Sequence, residues 1–457
     1  MRKNQIPIFI TILIFSTFCV KKKAVSGVPD NILSLLIATS INNLNSGPCV
    51  TIEPRQLTSI GNWMPNGNVY GYSEIVPISL NIKRPMLQVF SEYTDFSFGG
   101  IFPIWYLDRN QLNSGFLNKD VATYIGYNTH TSMLPYAKDT SYATDPAVSI
   151  MNTGEISQPL GFDFNFENSP YLNTTLISSC RGLENDEVNF QTSDAISSQS
   201  GLNHFWSSEK TLNVNIIVVN RSIDPLYPIE NEQALNVALN KWKENFAQPS
   251  VRINLNITVS SHEMPEYDMI FDLSTENAFP GSLGGLFQTT SYIGKPNALN
   301  VFLVKGELQY GGVLGVSGGI PGPATLLGTR QSGIVIFVDS HRLYTNSNEE
   351  LAFEEQQLLG ETLSHEAGHF LGLWHVTEAT GDNGMISDKD PLRDTPTCHI
   401  SNDLNLNGYL ELFECLGGGG TNSGGTNMMF WSGSVGFTQG DITAEQGWIL
   451  RLNPLVY

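Results

Sequence analysis

Charge is scarce in this 457-residue chain: 15% of its residues are Asp, Glu, Lys or Arg, and 24 basic residues face 44 acidic ones, for a formal net charge of −20. No Lys/Arg-rich stripe occurs beyond the extreme N-terminus. A nucleic-acid partner needs such a stripe to neutralise phosphates, so that class is excluded. Long charged blocks are missing too, and with 41% hydrophobic residues the chain reads as globular rather than disordered. An acidic surface of this size favours cations and basic ligands. Cysteine is sparse, at five residues. The length exceeds the usual single domain, so two cores are expected.

What is present begins at the N-terminus. MRKNQIPIFITILIFSTFCVKKK sets Arg2 and Lys3 before an apolar run from Ile6 to Phe18. That run is short for a membrane span and suits the core of a secretory signal over residues 1–24, so export is expected. Cys19 ends the run and Lys21, Lys22 and Lys23 follow, an arrangement that resembles a bacterial lipoprotein signal. It implies lipidation at Cys19, membrane attachment through the N-terminus, and an outer-membrane or cell-surface location. Phe18 stands where such signals prefer a small residue, so an ordinary signal peptide of a secreted protein, or a lone anchor helix, stays open. Removing the leader leaves Cys49, Cys180, Cys398 and Cys415, which permit two disulfides in an oxidising compartment. Cys398 and Cys415 flank one loop and are the expected pair. Cys49 and Cys180 can pair with each other, or one can stay free.

From residue 25 to 208 the chain is rich in Asn, Ser, Thr, Tyr and Phe, with short alternating pieces such as VPISLNI and LQVFSEY between turn residues. A β-rich pro- or accessory region follows from that pattern. The texture changes over 209–457. LNVNIIVVN is a buried-strand run, EQALNVALNKWKENFA has helical spacing, and VRINLNITVS, DMIFDLS, ALNVFLVK and GIVIFVDS read as strands before a second helix from about Glu349. The fold class is therefore α+β, a mixed twisted sheet backed by helices. Residues Gly311 to Gly328 are expected to form one long loop over a cleft.

The second helix carries SHEAGHFLGLWH, with Asn346, Ser347 or Asn348 as its expected cap and Glu349 and Glu350 suited to its positive end. His365 and His369 are four apart, so both imidazoles leave one face and can chelate one Zn²⁺. Glu366 beside them can act as general base toward a zinc-bound water. Gly372 can end the helix in a conformation other residues avoid, letting His375 swing in as third ligand. Three protein ligands leave the open position that catalytic zinc needs. With this composition the full HExxHxxGxxH pattern arises by chance on the order of once in a hundred thousand such sequences.

HEAGHFLGLWH resembles the zinc-binding consensus of the metzincin metallopeptidases. TNMMFW, Thr426 to Trp431, is similar to the methionine-containing turn of the pappalysin (cytophagalysin) branch, in the register Asn427-x-Met429, and DPLRDTPTC from Asp390 is similar to its Asp-Thr-Pro segment. The resemblance implies a metzincin catalytic domain with a C-terminal subdomain, Met429 beneath the metal, protein or peptide substrates, and cleavage before basic residues. Trp431 stands where that branch has a tyrosine that supports the tetrahedral intermediate. An indole can donate a hydrogen bond there but cannot act as an acid.

NDLNLNGYLELFEC fits a calcium-loop pattern, with Asp403, Asn405, Asn407, Tyr409 through its carbonyl, Glu411 through water, and Glu414 as candidate ligands of Ca²⁺. The resemblance also implies calcium dependence in this region. His130, His204, His262, His341 and His399 are scattered singly and are assigned no role. A secreted zinc-dependent endopeptidase is thus the leading expectation. Its rival is a surface binding lipoprotein that keeps a zinc-stabilised metzincin fold without turnover.

Overall fold

The computed structural model describes residues 204–457 apart from 221–231, 276–277, 325–326, 347–349, 383–388, 391, 393 and 417–422; of residues 1–203 it describes the backbone of eight strands. The leader and Cys19 lie outside the described residues, as do Cys49, Ser347, Asn348 and Glu349. Among the described residues no helix is long and apolar enough to cross a membrane.

The β-rich expectation for the N-terminal region holds where its backbone is described. Strands β1 (Arg55–Leu57), β2 (Ser59–Trp63), β3 (Tyr70–Ser73), β4 (Pro85–Glu92), β5 (Trp105–Asp108), β6 (Ala147–Met151), β7 (Leu160–Asn165) and β8 (Asn173–Cys180) make two four-stranded sheets. Their orders are β1-β8-β4-β6 and β2-β3-β7-β5, with every pairing antiparallel.

The remainder is built on one five-stranded sheet. Its elements run β9 (Lys210–Val219), helix α1 (Glu232–Phe246), β10 (Ile253–His262), β11 (Met269–Ile270), short helices α2 (Leu283–Gln288) and α3 (Thr290–Ile293), β12 (Leu299–Val304), β13 (Gly306–Glu307), β14 (Gly315–Ser317), β15 (Ile334–Phe337), α4 (Phe353–Leu371) and α5 (Ala444–Leu452). The order is β10-β9-β12-β15-β14; the first four strands are parallel and β14 is an antiparallel edge. A strand buried on both faces reads as a continuous apolar run, and β9 does so for that reason. Leu212, Val214, Ile216 and Val218 face one core with α1 and α4, while Ile217 and Val219 face a second core with Met264, Ile270, Leu286 and Phe287. Asn215 interrupts the run, and its Nδ2 donates to Asn300 Oδ1 at 2.9 Å on the paired strand, so no buried amide is left unsatisfied there.

Helices α1 and α4 pack side by side on the first face. Trp242 and Phe246 of α1 are fully buried, each worth about 2–3 kcal/mol of transfer free energy. Along the contact, Lys241 Nζ meets Glu361 Oε1 at 3.2 Å and Asn245 Nδ2 donates to Ser364 Oγ at 3.0 Å. The C-terminus closes the unit: Thr211 and Tyr457 exchange backbone hydrogen bonds at 2.6 and 2.9 Å, and Arg451 donates to the Val251 carbonyl at 3.1 Å while lying 4.7 Å over the Trp206 ring.

Gly360 sets how closely α1 and α4 approach, because a Cβ there would overlap the Ala238 carbonyl and lie 2.6 Å from Lys241 Cβ. Alanine gains about 1 kcal/mol of helix propensity, but overpacking of a backbone contact costs about 1–3 kcal/mol. Gly360→Ala is therefore expected to destabilise the chain, read as a lower midpoint in urea unfolding with unchanged slope.

Candidate metal centre

Helix α4 starts later than its sequence suggests. The expected cap at Asn346–Asn348 is replaced by Ala352, which offers no side-chain cap, and the first helical residue is Phe353. Glu355, fully buried, takes over: its carboxylate accepts from the backbone of Ala352 at 2.7 Å, Tyr344 at 2.6 Å and Thr345 at 3.1 Å, and from Thr345 Oγ1 at 2.8 Å. These bonds hold its pKa below the usual carboxylate range against the opposing effect of burial. One anion at the positive end of the helix thus satisfies the helix start and folds the preceding loop onto it. The far end behaves as the spacing predicts: Gly372 has φ 121°, and its N–H reaches the carbonyls of Gly368 and His369 at 3.0 and 2.9 Å.

That turn brings the three histidines together. His365, His369 and His375 each offer a nitrogen within 4.8 Å of the others, and no other group of three or more His, Cys, Asp or Glu among the described residues does so. In each, the other ring nitrogen is committed: His365 Nδ1 to Met428 O at 2.8 Å, His369 Nδ1 to Leu373 O at 2.7 Å, and His375 Nδ1 to Glu378 Oε2 at 3.0 Å. Such partners fix the tautomer with hydrogen on Nδ1 and leave Nε2 as a lone pair aimed inward. His369 Nε2 and His375 Nε2 then face one another at 3.1 Å. Two lone pairs at that distance repel unless a cation lies between them. Two ligands of a tetrahedral zinc, each about 2.0–2.1 Å from the ion, stand roughly 3.3 Å apart, so the residues present fit zinc.

The methionine turn holds this arrangement from below. Met428 and Met429 are buried, and Gly368 leaves room for them: a Cβ on it would come 2.5 Å from Met429 Sδ. While the Met428 carbonyl takes His365, the Met429 carbonyl accepts from Val376 N at 3.0 Å, next to the third histidine. Asn427 Oδ1 accepts from Met429 N at 2.9 Å and forms a reciprocal amide pair with Gln446 of α5, at 2.9 and 3.0 Å.

Glu366 lies beneath the edge strand, where a Cβ on Gly315 would come 3.0 Å from its Oε1. The stretch Gly311 to Gly328 is thus not one loop, because it contributes β14 and part of the wall of a cleft of about 930 Å³ that also takes in His365, Glu366, Phe430 and Gly433. Burial pushes Glu366 up to about 8, against a backbone hydrogen bond from Ser317. Burial first, then neighbouring histidine, pushes His365 down to about 3 and His369 well below its ordinary value. A site of neutral imidazoles and a reluctant carboxylate is one that a dication stabilises.

Other sequence expectations fare differently. Cys398 and Cys415 are disulfide-bonded. The candidate calcium loop is a turn stapled by its own carboxylates: Asp403 accepts from Asn407 N at 3.2 Å and Gly408 N at 2.9 Å, and Glu414 from Leu404 N and Glu411 N, both at 2.8 Å. Glu411 is engaged by the side-chain amides of Asn405 and Asn407 at 3.0 and 3.4 Å, while Tyr409 is exposed. Nothing in this geometry draws the carboxylates to one point, so the calcium expectation finds no support. Trp431 also departs from expectation, since its indole N–H donates to Leu410 O at 2.8 Å and is not free for substrate. Asp394 of the Asp-Thr-Pro segment receives Thr443 Oγ1 at 2.7 Å and Glu445 N at 2.9 Å at the start of α5. Sequence reasoning missed Glu378, whose only signal was an acid three residues after a histidine, and Leu373, whose acceptor is a carbonyl with no side-chain signature.

With the site in place, its class follows. Residues 298–449, about a third of the chain, match the family model described as Pregnancy-associated plasma protein-A, a peptidase family. The match includes all three histidines, Glu366 and the methionine turn, and the chain carries a metzincin-like metallopeptidase domain. No curated protein matches the chain. Among solved structures, a chaperone-substrate complex is 15% identical with TM-score 0.29, the match covering 54% of this chain and 35% of that one. Metalloproteinase-II from Bacteroides fragilis is 12% identical with TM-score 0.25, over 72% of this chain and 70% of that one. At such TM-scores neither bears on the fold.

In the chelator-treated chain, the shifts have opposite signs. Glu366, raised from 4.5 to about 8, contributes stability that is present below pH 4.5 and lost as pH rises toward 8. His365, lowered from 6.5 to about 3, contributes stability that is present above pH 6.5 and lost as pH falls toward 3. Each group changes stability by at most about 1.4 kcal/mol per pH unit. Glu366→Gln is expected to remove about 1 kcal/mol per unit of the loss between pH 6.5 and 8, seen as a flatter dependence of Tm on pH; an unaltered slope would refute the burial of this carboxyl.

Proposed function

We propose that the chain is an exported, zinc-dependent endopeptidase, with residues 1–24 as its leader, 25–208 as a pro- or accessory region and 209–457 as the catalytic domain. The observation that carries this reading is Glu366 set beside three convergent imidazoles, under an edge strand whose outer side opens on the cleft. His365, His369 and His375 would hold zinc. When bound, zinc supplies Lewis acidity, acidifying a water and polarising the scissile carbonyl.

The chain's own residues do the rest. An extended peptide can lie along β14, because an unpaired edge offers backbone donors and acceptors to another strand. That pairing would place a carbonyl over the histidines at little cost in side-chain specificity. Glu366 takes the proton of the attacking water at its carboxylate and hands it to the leaving nitrogen. Its burial suits the task, since a desolvated carboxylate binds a proton more readily than one in water. Trp431 takes no part, its N–H being held by Leu410. Export and attachment through Cys19 rest on the leader sequence, and protein substrates on the peptidase family match.

Glu366→Gln is expected to lower peptide hydrolysis by about 10²–10⁴-fold while leaving one zinc per chain by atomic absorption. His369→Ala should lose both. A chelator should abolish activity in the unaltered chain, and added zinc should restore it. Intact zinc binding without hydrolysis across a peptide library would favour the silent binding protein instead.

A further inference from the structure

One loop outside the cleft is built with its apolar side chains outward. Residues 403–414, the stretch that fits the calcium pattern, carry Leu404, Leu406, Tyr409 and Phe413 at 75%, 85%, 55% and 54% exposure. None of the four lines the cleft. A single exposed leucine is ordinary, but four large apolar side chains on one short loop mark a surface that meets something. Leu406 sharpens the point. Its φ is 60°, a left-handed conformation that is costly for leucine and cheap for Gly or Asn, yet an aliphatic side chain is kept there and held in water.

The polar groups of the loop turn the other way. Leu404 N and Asn405 N donate to Glu414 Oε1 at 2.8 and 3.3 Å, and Glu411 N donates to Glu414 Oε2 at 2.8 Å. Asn407 N and Gly408 N go to Asp403 at 3.2 and 2.9 Å, and Tyr409 N goes to Asn407 Oδ1 at 2.8 Å. Asp403 N and Leu410 N reach the carbonyls of Ile400 and Ala379 at 3.0 and 2.7 Å. Apart from Leu406, each backbone N–H from Asp403 to Glu411 therefore has an acceptor inside the protein. The amides of Asn405 and Asn407 are spent on Glu411, at 3.0 and 3.4 Å. The mount is firm as well: Leu410 and Leu412 are buried in the main core, the Cys398–Cys415 disulfide closes the loop, and Trp431 Nε1 donates to Leu410 O at 2.8 Å. A loop already ordered loses little entropy when its side chains are covered.

We propose that Leu404, Leu406, Tyr409 and Phe413 seat the chain on a zwitterionic lipid surface, entering the boundary between headgroups and acyl chains. The closed amides are what point to lipid: a protein partner brings acceptors of its own to a loop's backbone, whereas hydrocarbon brings none. Tyrosine, apolar in its ring and polar at its tip, suits that boundary, and the leucines and Phe413 suit the acyl side of it. Charge selects the headgroup. With a net charge of −20, and with Asp403, Glu411 and Glu414 in the loop itself, an anionic surface repels the chain and a neutral one does not. The inference depends neither on peptide hydrolysis nor on lipidation of Cys19.

Hydroxyl-radical footprinting of the full chain, with and without phosphatidylcholine vesicles, reads each side chain separately, so attachment through the N-terminus alone does not imitate the result. Labelling of Leu404, Leu406, Tyr409 and Phe413 is expected to fall severalfold on vesicles, while Phe271 and Tyr292, exposed elsewhere in the chain, label as before. Asparagine tolerates left-handed backbone, so Leu404→Asn combined with Leu406→Asn keeps the loop's conformation and removes its apolar contact. In that variant Tyr409 and Phe413 should return to their vesicle-free labelling at saturating lipid. Unchanged labelling of the four on vesicles overturns the proposal, as does protection that survives the double substitution. Protection that appears only when phosphatidylglycerol is added overturns it too. So does shielding of the four in the vesicle-free chain, which would mean that a protein surface, such as a second copy, already covers them.

Discussion

Three imidazoles can point their Nε2 atoms at one place only if something else takes each Nδ1, and in this chain two of those three partners are main-chain carbonyls. Leu373 O fixes His369 from the turn after the helix, and Met428 O fixes His365 from the methionine turn. The third partner, Glu378, is a side chain near the surface. Backbone acceptors cannot be altered without moving the chain that carries them. The ligand geometry is therefore as rigid as the packing of α4 against residues 426–431, and much of the C-terminal half serves that packing: the Gly368 gap that admits Met429, the Asn427–Gln446 amide pair and the Cys398–Cys415 bridge.

Electrostatics and architecture support one another here. The central strands of the sheet, buried on both faces, force α4 into a region where charge is costly, and the buried carboxylates on that helix meet this cost in different ways. Glu355 is compensated by backbone donors, Glu361 by Lys241, and Glu366 by one N–H from the edge strand. Burial outweighs these partners at both Glu361, pushed up to about 7, and Glu366, pushed up to about 8, and it is Glu366 that lies beside the imidazoles. A buried acid left wanting positive charge, next to a set of lone pairs, marks the functional end of the helix.

How much of this was legible beforehand depends on whether the determinant is local. The metal motif could be read directly, because spacings of four and six residues around Gly372 dictate positions on a helix and its terminating turn. The central strands β9, β12 and β15 could be read as well, since burial on two faces writes itself as a nearly continuous apolar run. The start of α4 could not. Asn346 and its neighbours look like caps, but a glutamate inside the helix satisfies the same donors and pulls the boundary forward to Phe353. The carbonyl partners of the histidines, the 120-residue reach from Lys241 to Glu361 and the Trp431–Leu410 bond have no sequence signature, because the fold alone brings them together. The calcium-like pattern Asp403 to Glu414 rests on residue types alone, and in the structure its carboxylates accept from the loop's own backbone, which gives that reading no support.

The exchange of hydrogen bonds between Thr211 and Tyr457 links the first strand of the sheet to residue 457. Synthesis proceeds from the N-terminus, so the sheet, α1 and α4 are made before Gln446 exists to grip Asn427, and before Tyr457 exists to meet Thr211. His369 and His375 find their partners within four residues, but His365 must wait for Met428, 63 residues further on, before its ring is aimed.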